Sequence, residues 1–263
     1  MLKRIITALI LALLGFCGVY NKHTFHFVII VCGIVATYEF ISIQNNSFDW
    51  RKYLLIVCII IVSSFLPFEI NILLFSIFIL LTIVPMLLDK QEQFFNYLII
   101  VVITYIIIGA IIGGLYIYQL GLRRAVVWVI LTNCMTDIGA FFVGIKFGKH
   151  KLLPHISPKK TIEGSIGGTI FGIISGLLFG LLYVNQIVEN ANFIIFGSII
   201  IPFLAQIGDL FFSAIKRHYN TKDFGSIFPG HGGMLDRIDS LIFSLYGMYL
   251  FMLFLMQGIN FLG

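Results

Sequence analysis

Apolar residues run through this chain in nine long blocks, near residues 5–20, 25–43, 53–68, 70–88, 95–118, 125–146, 165–184, 193–215 and 241–262, separated by short polar breaks. A helix needs about 20 apolar residues to cross a hydrocarbon core roughly 30 Å thick, and each block has close to that length. Strands of a membrane barrel would instead alternate apolar and polar positions over about 10 residues. The pattern therefore predicts an all-α, polytopic integral membrane protein of about nine transmembrane helices, with its termini on opposite sides. The first block follows Lys3 and Arg4 and is expected to be a retained helix, because no small-x-small cleavage site follows it and Phe16 before Cys17 suits lipoprotein processing poorly.

Positive charge then orients the bundle. Basic residues accumulate in short cytoplasmic loops. With the N-terminus inside, Lys3, Arg4, Arg51, Lys52, Lys90, Lys146, Lys149, Lys151, Lys159, Lys160, Lys216, Arg217, Lys222 and Arg237 all fall inside, fourteen of the 17 Lys and Arg. Only Lys22, Arg123 and Arg124 fall outside. The expected arrangement is a cytoplasmic N-terminus and an external C-terminus. The net charge of +5 then follows from topology and calls for no nucleic-acid partner.

Composition agrees: 59% of the 263 residues are hydrophobic, 11% are charged, and the mean hydropathy is +1.03. A water-facing surface needs many more charges, which excludes a soluble enzyme, a nucleic-acid module or a disordered tail. Cys17, Cys32, Cys58 and Cys134 lie inside apolar runs without a CxxC pair or His spacing, so they read as small apolar side chains rather than a disulfide frame or zinc site.

Two inside loops, Lys146 to Glu163 and Lys216 to Asp239, are longer than connection requires, and between them carry nine of the fourteen inside bases. Their ligand is expected to be anionic. Beside them stand acids where acids are expensive. Asp137 lies in the run before Lys146 and Asp209 in the run before Lys216, about 14 Å and about 10 Å along the helix from those lysines. An ionisable residue at such depth reads as functional, the plainer alternative being an interhelical hydrogen bond. Asn133 is one turn from Asp137, while Gln206 and Ser213 flank Asp209, so each acid heads a polar stripe expected to face the bundle interior.

A second constellation, His231-Gly232-Gly233-Met234-Leu235-Asp236-Arg237-Ile238-Asp239-Ser240, precedes the last apolar run. Asp236 and Asp239, at i and i+3 of a helix start, share a face on which both can approach divalent cations. The plainer reading is favourable placement of acids in a first helical turn. The glycines let the backbone approach a ligand closely. Carboxylates for Mg²⁺ plus cations for phosphate oxygens are the parts of phosphoryl or nucleotidyl transfer. By contrast Gly164, Gly168, Gly172, Gly176 and Gly180, spaced every four residues, read as a stripe for close helix packing, and no Walker A sequence occurs.

The 27 residues from Ser213 to Asp239, through Lys216-Arg217, Lys222-Asp223-Phe224-Gly225-Ser226-Ile227-Phe228-Pro229-Gly230-His231-Gly232-Gly233-Met234-Leu235-Asp236-Arg237-Ile238-Asp239, resemble the signature of the phosphatidate cytidylyltransferases, the CDP-diacylglycerol synthases. Similar to that family as well are Ser157-Pro158-Lys159-Lys160-Thr161 with Glu163, Asp137-Ile138-Gly139-Ala140, and Gln206-Ile207-Gly208-Asp209-Leu210. The resemblance covers residues 130 to 245. It suggests a variable part, 1–120, of transmembrane helices, and a C-terminal transmembrane catalytic region, 121–263, with cytoplasmic loops 146–163 and 216–240.

What the resemblance implies is transfer of CMP from CTP to phosphatidic acid at the cytoplasmic face of the cell membrane, giving CDP-diacylglycerol and pyrophosphate. It implies Mg²⁺, with a second, monovalent cation such as K⁺ in the family's pattern, and is compatible with a homodimer. By position, Asp209 and Asp236 are the expected metal-binding carboxylates, with Asp137 and Asp239 as neighbouring ligands or partners. Lys159, Lys160, Lys216, Arg217, Lys222, Arg237 and His231 are the candidates for phosphate binding and charge stabilisation. Ser157, Thr161, Asp223, Gly232 and Gly233 complete the expected substrate contacts. Two rivals are a CTP-dependent lipid kinase and a cation-coupled transporter. The transporter predicts inverted repeats, and none is found in the sequence.

Overall fold

The structure, a computed structural model, describes residues 20–44, 48–66, 70–71, 78, 91–185, 191–228 and 232–261. Seven α-helices are present among them: α1 (Lys22–Ser42), α2 (Trp50–Phe65), α3 (Gln91–Gln119), α4 (Arg123–Phe147), α5 (Ile162–Phe179), α6 (Ala191–His218) and α7 (Leu235–Phe261). Six helical segments of the described residues are long and apolar enough to cross a membrane: α1, most of α3, α4, α5 with the turn that follows it, α6, and most of α7. Helix α2, at 16 residues, spans only about 24 Å. The expected block at 5–20 lies outside the described residues but for Tyr20, as does 70–88 but for Ile70, Asn71 and Phe78.

Local chemistry accounts for several helix starts. Asn21 accepts the Thr24 amide at 2.9 Å and forms a capping box with that residue. Asp49 accepts the amides of Arg51 and Lys52, and Thr161 accepts that of Gly164 at 3.1 Å.

The fold is helical, as expected, with one small addition. The 146–163 loop is a small antiparallel hairpin, β1 (Lys151–Leu153) and β2 (Ser157–Thr161), pairing Lys151 with Thr161 and Leu153 with Ser157. Pro154 occupies the second position of its turn, where a fixed φ is favourable, and the Ile156 amide closes it onto the Leu153 carbonyl at 3.1 Å. The other long loop is shorter than expected. Helix α6 continues to His218 and α7 begins at Leu235, so Asp236 lies in a first helical turn and Asp239 in the next. Apolar onset marks where a helix enters the membrane, whereas the helix itself starts earlier, in the polar layer.

Two compact units make up the chain, one of Met1–Ile112 with Phe224–Asp236 and one of Gly113–Asp223 with Arg237–Gly263. In the first, Gly33 of α1 gives room to Ile107 and Ile111 of α3. In the second, α4, α5 and α6 pack against one another through the glycine stripe. A Cβ on Gly164 would meet the Ala140 carbonyl at 2.8 Å, one on Gly168 the Thr136 carbonyl at 2.7 Å, and one on Gly176 would stand 3.1 Å from both Ser198 and Thr132. Gly172 faces Thr136 on one side and the Pro202 ring on the other, and Gly180 faces Ile194 and Trp128. Two residues along from each of the first four of these glycines, on the opposite face, Ile166, Ile170, Ile174 and Leu178 are all exposed. This is the inside-out patterning of a helix in lipid, with small residues inward and large ones outward, because hydrocarbon solvent gives no premium for burying leucine. Trp128, fully buried, donates its indole N–H to the Gly176 carbonyl at 2.7 Å, and the backbone widens just beyond into a π-helical turn, Gly180–Val184.

Candidate functional site

Within the second unit, three helices and the hairpin bring acids and bases together at one end of the bundle. Glu163, in the first turn of α5, fixes the hairpin: it accepts the Lys149 amide at 3.1 Å and the His150 amide at 3.2 Å and meets His150 Nδ1 at 2.6 Å. From the other side Arg217 donates through Nε to the Ile156 carbonyl at 3.2 Å and through Nη1 to the Thr221 carbonyl at 2.9 Å. The hairpin is thereby tied to the C-terminal end of α6. That geometry carries Lys160 of β2 to Asp209 of α6, Nζ to Oδ2 2.5 Å. Ser213 donates to the other Asp209 oxygen at 3.3 Å.

Asp239 of α7 is 7% exposed, faces Lys216 Nζ at 4.0 Å and accepts the Ser240 amide at 2.7 Å. Asp137 of α4 lies within electrostatic reach of Asp209, Lys160 and Arg237, and Asp239 within reach of Asp209 and Asp137. Three expected carboxylates and three expected cations thus share one neighbourhood. The expected polar stripes are also present. Asn133 donates to Ser240 at 2.9 Å and accepts from Ser244 at 2.9 Å, while Gln206 bridges α6 to Ser165 and Thr169 of α5.

Other expected site residues fall into the hairpin, the loop and the first unit. Ser157 pairs in the hairpin, Thr161 is the N-cap of α5, and Lys159, Lys222 and Asp223 are exposed. His231 lies outside the described residues. Asp236 belongs to the first unit, where its Oδ2 accepts the amides of Phe224 at 2.8 Å and Gly233 at 2.9 Å. Gly232 has φ +84°, a conformation that side chains strain to adopt, and a Cβ there would meet Asp236 Oδ2 at 2.9 Å. Gly233 abuts the carboxylate of Glu39. The glycines of this segment thus have a packing reason of their own: they let two acids close on the backbone.

Glu39 was not among the expected residues. It is 2% exposed on α1 and accepts the Met234 amide at 2.9 Å and the Leu235 amide at 2.8 Å. The signal was available, since Glu39 is an acid inside an apolar run, as Asp137 and Asp209 are. The Lys160–Asp209 pair, by contrast, has no sequence signal, because only the tertiary fold brings β2 to α6.

Among the described residues no three His, Cys, Asp or Glu side chains converge closely enough to hold a metal ion together. The donor chemistry nevertheless fits Mg²⁺, which is commonly bound by one or two carboxylates plus substrate phosphates rather than by an all-protein cage. Hard oxygen donors with lysines alongside suit an ion of that kind.

Comparison with known proteins draws these features together. A sequence model of the cytidylyltransferase family matches residues 2–255. A Bacillus subtilis (strain 168) protein named phosphatidate cytidylyltransferase is 32% identical over 268 residues, covering 95% of this chain and 96% of the relative. Proteins of the same name from Staphylococcus epidermidis and Staphylococcus aureus (strain COL) are 39% identical over 137 residues, 51% of this chain and 52% of each relative. With the match running through both units and through every acid described above, the chain belongs to the cytidylyltransferase family.

Proposed function

We propose that this protein transfers CMP from CTP to phosphatidic acid, forming CDP-diacylglycerol and releasing pyrophosphate. The end-to-end alignment with the B. subtilis phosphatidate cytidylyltransferase carries the reading, and the acid–base neighbourhood around Asp209 supports it. A phosphatidate oxygen, already anionic at neutral pH, attacks the α-phosphorus of CTP in line. The new P–O bond forms as the bond to the bridging β-phosphate oxygen breaks, and pyrophosphate leaves with that electron pair.

Asp209 and Asp236 supply the carboxylates for Mg²⁺, and Asp137 and Asp239 stand as neighbouring ligands or partners. When bound, the ion neutralises phosphate charge and orients the reacting oxygens. Lys160 and Lys216, each facing a carboxylate, together with Arg237, Lys159, Arg217 and Lys222, offset the negative charge that gathers on the departing pyrophosphate. His231, Ser157, Thr161, Asp223, Gly232 and Gly233 belong to the same proposal as substrate contacts, as do a monovalent ion such as K⁺ and a homodimeric assembly.

Purified protein given phosphatidic acid, Mg²⁺ and α-labelled CTP is expected to place the label in lipid. Label recovered as CDP would make the protein a kinase, and label remaining in CTP would remove the enzymatic reading.

The same reading puts the reaction at the cytoplasmic face of the cell membrane, since CTP is cytoplasmic. Two contacts are consistent with it: Arg217 joins the hairpin to the end of α6, and Glu39, in the last turn of α1, meets residues 234 and 235. A reporter inserted near His155, exposed at the hairpin turn, is expected to be cytoplasmic and one after Gly263 external. An external signal at His155 would overturn the orientation and the site with it.

A further inference from the structure

We propose that Glu39 is a positioning residue for nucleotidyl transfer, holding the backbone at Met234 and Leu235 and, through it, Asp236. The inference rests on the reading of Asp236 given above. Three consecutive amides are taken up by two carboxylates: Asp236 accepts that of Gly233, while Glu39 accepts those of Met234 through Oε1 and Leu235 through Oε2. The first amides of a helix have no intrahelical acceptor, and a side chain just before the helix usually supplies one. Here the acceptor comes from α1, 195 residues away in sequence, and is almost completely buried.

The packing is specific to an acid of this length. Gly225 and Gly233 both close on the Glu39 carboxylate so tightly that a Cβ on either would collide with it. Asp236 takes the Phe224 amide as well, and Phe224 is 1% exposed, so Phe224 and Gly233 are tied to the same acid. The amides that Glu39 accepts are backbone groups, and the peptide it grips leads directly into Asp236. Displacing the grip moves the carboxylate that the proposed chemistry uses.

Glu39→Gln keeps size but offers one acceptor oxygen for two amides and turns an NH₂ group toward the other. Hydrogen exchange of peptides containing Met234 and Leu235 is expected to accelerate, kcat to fall about tenfold or more, and the Mg²⁺ half-saturation to rise several-fold, the usual scale for a residue orienting a metal ligand. Gly225→Ala disturbs the same acid without changing any charge and should give the same signature. It decides the matter if Glu39→Gln does not fold. Faster exchange with unchanged kcat and Mg²⁺ dependence would make Glu39 a plain helix cap and overturn the proposal. Unchanged exchange would overturn the contact itself. Asp236→Asn, measured alongside, separates the two levels. An inactive Asp236→Asn with a normal Glu39→Gln rejects this inference alone, whereas a fully active Asp236→Asn rejects the metal reading and the inference together.

Discussion

Asp209→Asn and Asp236→Asn are each expected to lower CTP-dependent CDP-diacylglycerol formation by about a hundredfold or more, with expression unchanged. The substitution keeps shape and one acceptor oxygen while deleting the charge that holds a hard cation. Asp209→Asn also deprives the Lys160 ammonium of the carboxylate it contacts, so a phosphate-binding group is loosened in the same step. An acid used only for helix packing would behave differently, since neutralising it removes an insertion penalty and leaves turnover within a few-fold. The measurement is turnover across a Mg²⁺ titration for wild type, Asp137→Asn, Asp209→Asn, Asp236→Asn and Asp239→Asn. Near-wild-type rates with unchanged Mg²⁺ dependence in both the Asp209 and Asp236 variants would sink the metal assignment. For Asp239→Asn, thermal stability must be recorded beside activity, because it deletes the buried carboxylate facing Lys216.

Gly172→Leu should prevent the second unit from assembling. Its position is closed on one side by Thr136 of α4 and on the other by the Pro202 ring of α6, whose Cγ would stand 2.7 Å from an added Cβ. A proline ring inside a helix cannot rotate away, and the remaining leucine carbons have nowhere to go. Ordinary overpacking costs about 1 to 3 kcal/mol, and an added isobutyl group between two fixed helices lies at or above the upper end. Gly176→Leu, opposite Ser198 and Thr132, is expected to act in the same direction. Ile170→Leu, on the exposed face of the same helix, should be neutral. Monodispersity and thermal stability in detergent, with activity, provide the comparison. Normal values for both glycine variants would remove the packing role.

Six of the apolar spans, the glycine stripe and the placement of Asp137 and Asp209 inside helices were legible because each follows or departs from a simple rule: lipid demands long apolar runs, close packing demands small residues, and charge avoids hydrocarbon. The hairpin was not legible. Lys151 to Thr161 has no apolar alternation, since β1 is only three residues long and β2 is polar, and the hairpin is held by Glu163 and Arg217 rather than by a buried face. The start of α7 was legible from Asp236 and Asp239 rather than from the apolar run, which begins only at Leu241 while the helix begins at Leu235. Glu39 could have been found by the rule that found Asp209. What no rule of spacing reveals is that its two oxygens belong to Met234 and Leu235.

Glu39 is synthesised 195 residues before the Met234 amide that it binds. At a translation rate of about 5 to 20 residues per second, the acid waits on the order of ten to forty seconds before those amides exist. The first compact unit likewise stays incomplete until residue 236 is synthesised, by which time most of the second has been made. Biogenesis of this protein is therefore not a sequence of finished modules. An early helix carries a carboxylate whose amide partners arrive late, so the first unit can close only after most of the second has been made.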